Sequence, residues 1–124
     1  RLSIAEKIIE RAVREGIKAE DVIIDPLAMA VSADPRACIV TLETIRLVHQ
    51  ELGHNITQGA SNISFGLPDR ESLNAAYMAM SIFNGLTCPI ANPEKITSIV
   101  RAADLVLGRD DYAVRFVDYF QRRQ

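Results

Sequence analysis

Tryptophan is absent from this chain, cysteine and histidine occur twice each, and no block of like charge interrupts its 124 residues. Each scarcity excludes something. Cys38 and Cys88 lie far apart and lack metal-type spacing, so they read as buried free thiols in a reducing compartment. His49 and His54 form neither an HxH nor an HExxH pattern, and no bound metal is expected. A formal charge of −2 and a pI near 5.7 argue against a nucleic-acid or polyanion binder. No run approaches the ~20 apolar residues that span a bilayer, and no signal peptide is visible, which gives the expectation of a cytoplasmic protein without a membrane partner. There is no low-complexity tract or flexible linker, so residues 1–124 read as a single domain.

Hydrophobic residues make up 48% of the chain, enough to fill a core. They fall into alternating strand and helix patterns. Ser3 and Glu6 suggest a capping box, with Ile4, Ile8, Ile9 and Ala12 on the inner face of a helix that stops at Gly16. Asp21 to Ile24 is a β-branched run without polar alternation, as in a strand buried on both faces, and it ends at Asp25-Pro26. Asp34-Pro35 reads as the N-cap and first residue of a helix whose inward stripe is Cys38, Leu42, Ile45, Val48 and Leu52. A short strand over Asn55 to Gln58 leads into the loop Gly59-Ala-Ser-Asn-Ile-Ser-Phe-Gly66. A helix then runs from about Asp69 to Asn84, nearly all apolar from Ala75 to Phe83. Such a helix is covered on more than one side, which points to a neighbouring subunit or to a further part of the same fold. Thr87 to Ala91 is a third strand, Asn92 caps a helix to about Leu107, and a last amphipathic helix follows Asp110 and Asp111. Three strand–helix units with flanking helices describe an α/β domain built on a parallel sheet.

Each strand ends on a polar group: Asp25, then Ser61-Asn62 in the glycine loop, then Asn92. If the strands are parallel neighbours, these residues converge on one rim, where α/β proteins bind ligands. An ionised aspartate only accepts hydrogen bonds and suits an amino-pyrimidinone edge. An asparagine amide donates and accepts, which suits a ring nitrogen whose protonation changes. The plain alternatives are that Asp25 is a turn residue, Asn92 a helix cap, and Gly59 and Gly66 turn glycines.

The words go further than the pattern. Asp25-Pro-Leu-Ala-Met, Gly59-Ala-Ser-Asn-Ile-Ser-Phe-Gly-Leu-Pro-Asp-Arg70, the Ala/Met-rich helix and Cys88-Pro-Ile-Ala-Asn-Pro93 together resemble the pterin-binding methyltransferases. These exchange a methyl group between methyltetrahydrofolate and a corrinoid protein, and they include the folate domain of cobalamin-dependent methionine synthase. The resemblance implies a (β/α)8 TIM barrel of which this chain supplies the C-terminal part, about three βα units. It implies that Asp25 ends the sixth strand and binds the pterin, and that Asn62 ends the seventh and acts at the methyl-bearing nitrogen as the catalytic residue. Gly59 and Ser61 would shape the same wall, with Asn92 after the eighth strand. The corrinoid would arrive on a partner protein. A complete barrel typically needs about 250 residues, and the chain opens at Arg1 directly into a helical pattern. The expectation is therefore a partial barrel lacking its N-terminal portion, or a half-barrel closed by another chain, with a dimer suggested by the apolar helix. A dihydropteroate synthase would want an S-R-K word at Ser61-Asn62-Ile63 and a histidine motif at Ala91-Asn92-Pro93, and neither is present. A non-catalytic half-barrel serving as an assembly module is the alternative from another class.

Overall fold

The computed structural model describes all residues, Arg1–Gln124. Five α-helices, α1 (Leu2–Arg14), α2 (Ala37–Leu47), α3 (Arg70–Asn84), α4 (Pro93–Val106) and α5 (Val114–Gln121), accompany two short strands, β1 (Thr57–Gly59) and β2 (Cys88–Ile90). The strands pair in parallel with Thr57 opposite Cys88 and Gly59 opposite Ile90. The first expected strand shrinks to one parallel bridge between Ile24 and Ile56. The Ile24 N–H donates to Asn55 O at 3.0 Å, and Thr57 N–H donates to Ile24 O at 2.9 Å. Asp21 instead closes a 3₁₀ turn over Ala19–Asp21. Three parallel segments thus lie side by side in chain order, the outermost as a single rung. Its other edge has no neighbour to extend the ladder, and Pro26 has no N–H to give.

Side-chain alternation tells which face is covered. Ile24, Ile56 and Gln58 are buried toward the helices, where Ile24 and Ile56 join Ile45, Val48, Met78, Ile82 and Leu86 in one core. Ile23 and Ile90 point the other way and are exposed. The expectation that residues 21–24 are buried on both faces is therefore corrected. Only one face of this sheet has a helix layer.

The helices follow their boundary signals with two departures. Asp69 caps α3 through a long 3.5 Å contact from Ser72 N–H, and Gly85 ends it at φ +116. A side chain at Gly85 would meet the His49 ring, with a Cβ only 2.4 Å from Cγ, so the glycine serves both the turn and the close approach of α2's end to α3. Asn92 Oδ1 caps α4, accepting Glu94 N–H at 2.9 Å. At the first helix the expected Ser3–Glu6 box is absent: α1 begins at Leu2 with no side-chain cap. Its inner face is Leu2, Ala5 and Ile9, while Ile4 and Ile8 are exposed. Pro35 also stands outside its helix. α2 begins at Ala37, although Asp34 Oδ1 still accepts Arg36 N–H at 2.8 Å.

Candidate functional site

The C-terminal ends of the three parallel segments carry the polar residues singled out in the sequence. Asp25 follows Ile24, and because Ile24 faces the helices, the alternation of extended backbone turns Asp25 toward the open face. Its Oδ1 accepts the Leu27 N–H at 2.8 Å, and Leu27 sits at φ +66. For a bulky residue this left-handed conformation costs roughly 1–2 kcal/mol. The strain is held by the chain around it. Leu27 O accepts from Thr41 Oγ1 at 3.0 Å and from Arg1 Nη1 at 3.2 Å, and Pro26 O accepts from Arg1 Nη1 at 2.8 Å. Stored strain of this kind clusters at functional loops.

On β1, Gln58 is fully buried and faces α3. Its Oε1 accepts from Tyr77 Oη at 2.9 Å and its Nε2 donates to Ser81 Oγ at 3.0 Å. Burial, reinforced by Cys38, pushes the Tyr77 hydroxyl up to about 12, so it remains a donor at any ordinary pH. Gly59, the next residue, must face the other way. The space where its Cβ would project is taken by the amide of Asn62, with Nδ2 3.1 Å from the ideal Cβ position. The Asn62 amide thus folds back over the strand end on the open face, the side to which Asp25 turns.

The turn that carries Asn62 is a 3₁₀ stretch over Ala60–Ser64, stapled from the start of α3. Arg70 Nε donates to Ser64 Oγ at 3.0 Å, Arg70 Nη2 donates to Ser61 O at 2.9 Å, and Ser64 Oγ donates to Ser61 O at 3.2 Å. These bonds run through Ser61 and Ser64 and leave the Asn62 amide free. Two further bonds tie the Asp25 loop to this turn: Val31 N–H to Ile63 O at 3.0 Å and Ser32 Oγ to Phe65 O at 2.9 Å.

Ser61 and Asn92 have a different setting. Both line a cavity of about 570 Å³ between the turn, α3 and α4, together with Asn74, Lys95 and Ile99. Asp25, Gly59 and Asn62 are not among its lining residues. Lys95 Nζ reaches Glu71 Oε1 at 2.8 Å, linking α4 to α3 at this cavity, and Asn74 Oδ1 is buried without a partner. The expected single rim is therefore divided: Asp25, Gly59 and Asn62 on the open face, Ser61 and Asn92 in the cleft between helices. The Asn92 amide is also committed to its helix cap. Sequence reasoning missed Gln58, Tyr77 and Arg70, which hold the rim in place; a lone glutamine inside a short strand was the available signal. No three His, Cys, Asp or Glu side chains gather as metal ligands, and no helix is long and apolar enough to cross a membrane.

Comparison with known proteins bears on this rim. A family model described as "Pterin binding enzyme" matches residues 2–92, which include Asp25, Gly59, Ser61, Asn62 and Asn92. The chain is also similar to the methylcorrinoid:tetrahydrofolate methyltransferase of Eubacterium limosum, at 28% identity over 127 residues. That alignment takes in 98% of this chain and 46% of the relative, so the chain spans under half of that protein's length.

Proposed function

The chain belongs to the pterin-binding enzyme family, and from that premise we propose that its open-face rim holds the pterin of a tetrahydrofolate. The proposed setting is an enzyme that exchanges a methyl group between N5 of methyltetrahydrofolate and a corrinoid carried by a partner protein. The observation that carries the reading is the Asn62 amide, unbonded within the chain and held over Gly59 on the face to which Asp25 turns. Asp25 Oδ2 and Oδ1 offer acceptors for the amino and N–H groups of the pyrimidinone edge. Gly59, having no side chain, leaves the space over the strand end to the Asn62 amide.

The chemistry asks for a group such as Asn62. A methyl on a neutral tertiary amine transfers poorly, because the nitrogen would leave as an anion. Protonation at N5 lets it leave as a neutral amine, a gain on the order of 10²–10⁴-fold in general-acid terms. An asparagine does not supply that proton. It can turn its carbonyl toward the N5–H that forms, an interaction stronger in the transition state than in the ground state. In the reverse direction, which the relative's name describes, the same contact steadies the same transition state. The cobalt of the corrinoid would supply the nucleophile, so the chain needs no covalent residue of its own.

The reading includes the wider fold. The open sheet face and unpaired strand edges fit the C-terminal part of a (β/α)8 barrel, with residues 1–124 as one partial domain whose mouth is completed by further strands. Ser61 and Asn92 then serve the wall of the mouth from the helix side, Asn92 chiefly as a cap. Such a part binds pterin weakly and turns over little when alone. The test is equilibrium binding of methyltetrahydrofolate to this chain and to its Asn62→Ala and Asp25→Ala variants. Saturable binding weakened by both substitutions is expected; binding indifferent to both would overturn the assignment of the rim.

A further inference from the structure

We propose that Arg1 is a positioning residue for Asp25: its guanidinium locks the turn that sets the carboxylate toward the ligand. This role rests on the reading of Asp25 as a pterin acceptor. Asp25, Pro26 and Leu27 form a tight turn at the end of the outermost parallel segment. Pro26 C=O and Leu27 N–H belong to one trans peptide plane, so they point in opposite directions. Asp25 Oδ1 accepts from the N–H end at 2.8 Å, and Arg1 Nη1 donates to the C=O end at 2.8 Å. The same nitrogen reaches Leu27 O, in the next plane, at 3.2 Å and Thr41 Oγ1 at 3.3 Å. Thr41 Oγ1 in turn lies 3.0 Å from Leu27 O. Both planes that meet at the Leu27 Cα are thus held from outside the turn, which fixes the two torsions between them.

Packing does not explain the turn. Leu27 is 57% exposed, so its side chain gains little core contact in return for a φ of +66 that glycine would adopt more easily. Polar contacts hold the conformation instead. The strongest come from the charged guanidinium, since charge-assisted bonds are roughly twice as strong as neutral ones. A bond at the carbonyl also polarises the amide, which makes Leu27 N–H a better donor to Asp25. One carboxylate oxygen is then spent on the turn, and Oδ2 is left in a fixed direction for the ligand. Without Arg1, the Pro26–Leu27 plane is free to rotate about the torsions on either side, and Asp25 loses its internal partner. Helix α1 does not need Arg1 to stay docked, because Leu2, Ala5 and Ile9 pack into the core. The clamp therefore bears on the rim rather than on the fold.

Binding of methyltetrahydrofolate to the full chain tests this role in wild type, Arg1→Met, Arg1→Lys, Asp25→Ala and the Arg1→Met, Asp25→Ala double variant. Circular dichroism checks that each is folded. Arg1→Met should weaken the folate dissociation constant by roughly 2- to 12-fold, the range for one misaligned hydrogen bond. Arg1→Lys, which keeps a cation of shorter reach, should recover part of that loss. In the Asp25→Ala background, Arg1→Met should cost nothing further, because its effect runs through the carboxylate. Equal losses in both backgrounds would overturn the proposal, since a general loosening of the fold acts alike with and without Asp25. Hydrogen exchange at the Leu27 amide reads the clamp without any ligand. It should quicken in Arg1→Met and slow again in Arg1→Lys, while the amides of α2 exchange as in wild type. A wild type that binds no folate while Leu27 still responds to Arg1 would sink the pterin reading and keep the clamp. The reverse pattern, folate bound and Leu27 indifferent to Arg1, would sink the clamp and keep the reading.

Discussion

Replacing Gly59 by alanine perturbs the proposed site through one atom. The Gly59 backbone, at φ −76 and ψ 89, is open to any residue, so the substitution carries no backbone strain. The new methyl would stand 3.1 Å from Asn62 Nδ2, 3.6 Å from its Cγ and 3.7 Å from its Oδ1. The first contact is too close and the others are ordinary, so the amide must swing aside by a few tenths of an ångström. Asn62 is exposed, and the swing is a side-chain adjustment costing about 0.5–1.5 kcal/mol if it leaves the rotamer well by some 30°. Global stability should barely move, with a thermal midpoint within about 3 °C of wild type. Ligand binding should suffer more. A misaligned amide forfeits a hydrogen bond worth about 0.5–1.5 kcal/mol net, or roughly 2- to 12-fold in folate dissociation constant. Calorimetric titration of the wild type, Gly59→Ala, Asn62→Ala and the double variant makes a thermodynamic cycle. If Gly59 acts by leaving room for Asn62, the alanine has no further effect once Asn62 is gone. Equal losses from Gly59→Ala in both backgrounds would refute the steric link.

Three other perturbations follow from the same geometry. Arg70→Met removes both bonds that staple the Ala60–Ser64 turn, so amide exchange there should rise and folate affinity fall, with Arg70→Lys recovering part of the loss. Tyr77→Phe leaves the Gln58 acceptor buried and unpaired and should cost about 1–3 kcal/mol of stability by denaturant unfolding. Tyr77 also sets an alkaline limit. Its hydroxyl titrates near 10 when unfolded and about 12 when folded, so the unfolded state loses its proton first and stability falls as the pH rises between these values, by at most about 3 kcal/mol, a contribution that Tyr77→Phe removes. At the acid end, burial works to raise the Asp110 carboxyl, but the N–H groups of Arg115 and Phe116 and the guanidinium groups of Arg115 and Arg101 outweigh it and hold it low. The stability this lends the start of α5 is present above 3.8 and is lost as the pH falls through the lower folded value, which Asp110→Asn should show as a flattened acid limb.

What could be read in advance divides along physical lines. Local signals placed the helices that bracket the rim: the Asp69 cap and Gly85 stop of α3, and the Asn92 cap of α4, need only neighbouring residues to act. Asn92 itself shows the two readings of one residue, since the same amide that ends a strand also caps the helix. The run at residues 21–24 misled because β-branched composition reports what a strand would bury, whereas the ladder depends on a neighbour across the edge. The inner face of α1 misled because Ile4 and Ile8 mark an apolar stripe without saying what covers it. The buried Tyr77–Gln58–Ser81 chain and the Arg70 staple join residues distant in sequence, so only the fold brings them together. Gly59 reads in the sequence as part of the pterin wall or as a turn glycine, while its steric part, room for the Asn62 amide, appears only in three dimensions.

The most direct test of the pterin site is a heteronuclear NMR titration of this chain with methyltetrahydrofolate carried into the millimolar range. Saturable shifts should centre on the backbone amides of Asp25 to Leu27 and Gly59 to Asn62 and on the Asn62 side-chain NH₂. Shifts confined to helices α3 to α5, or a spectrum unchanged throughout, would contradict it.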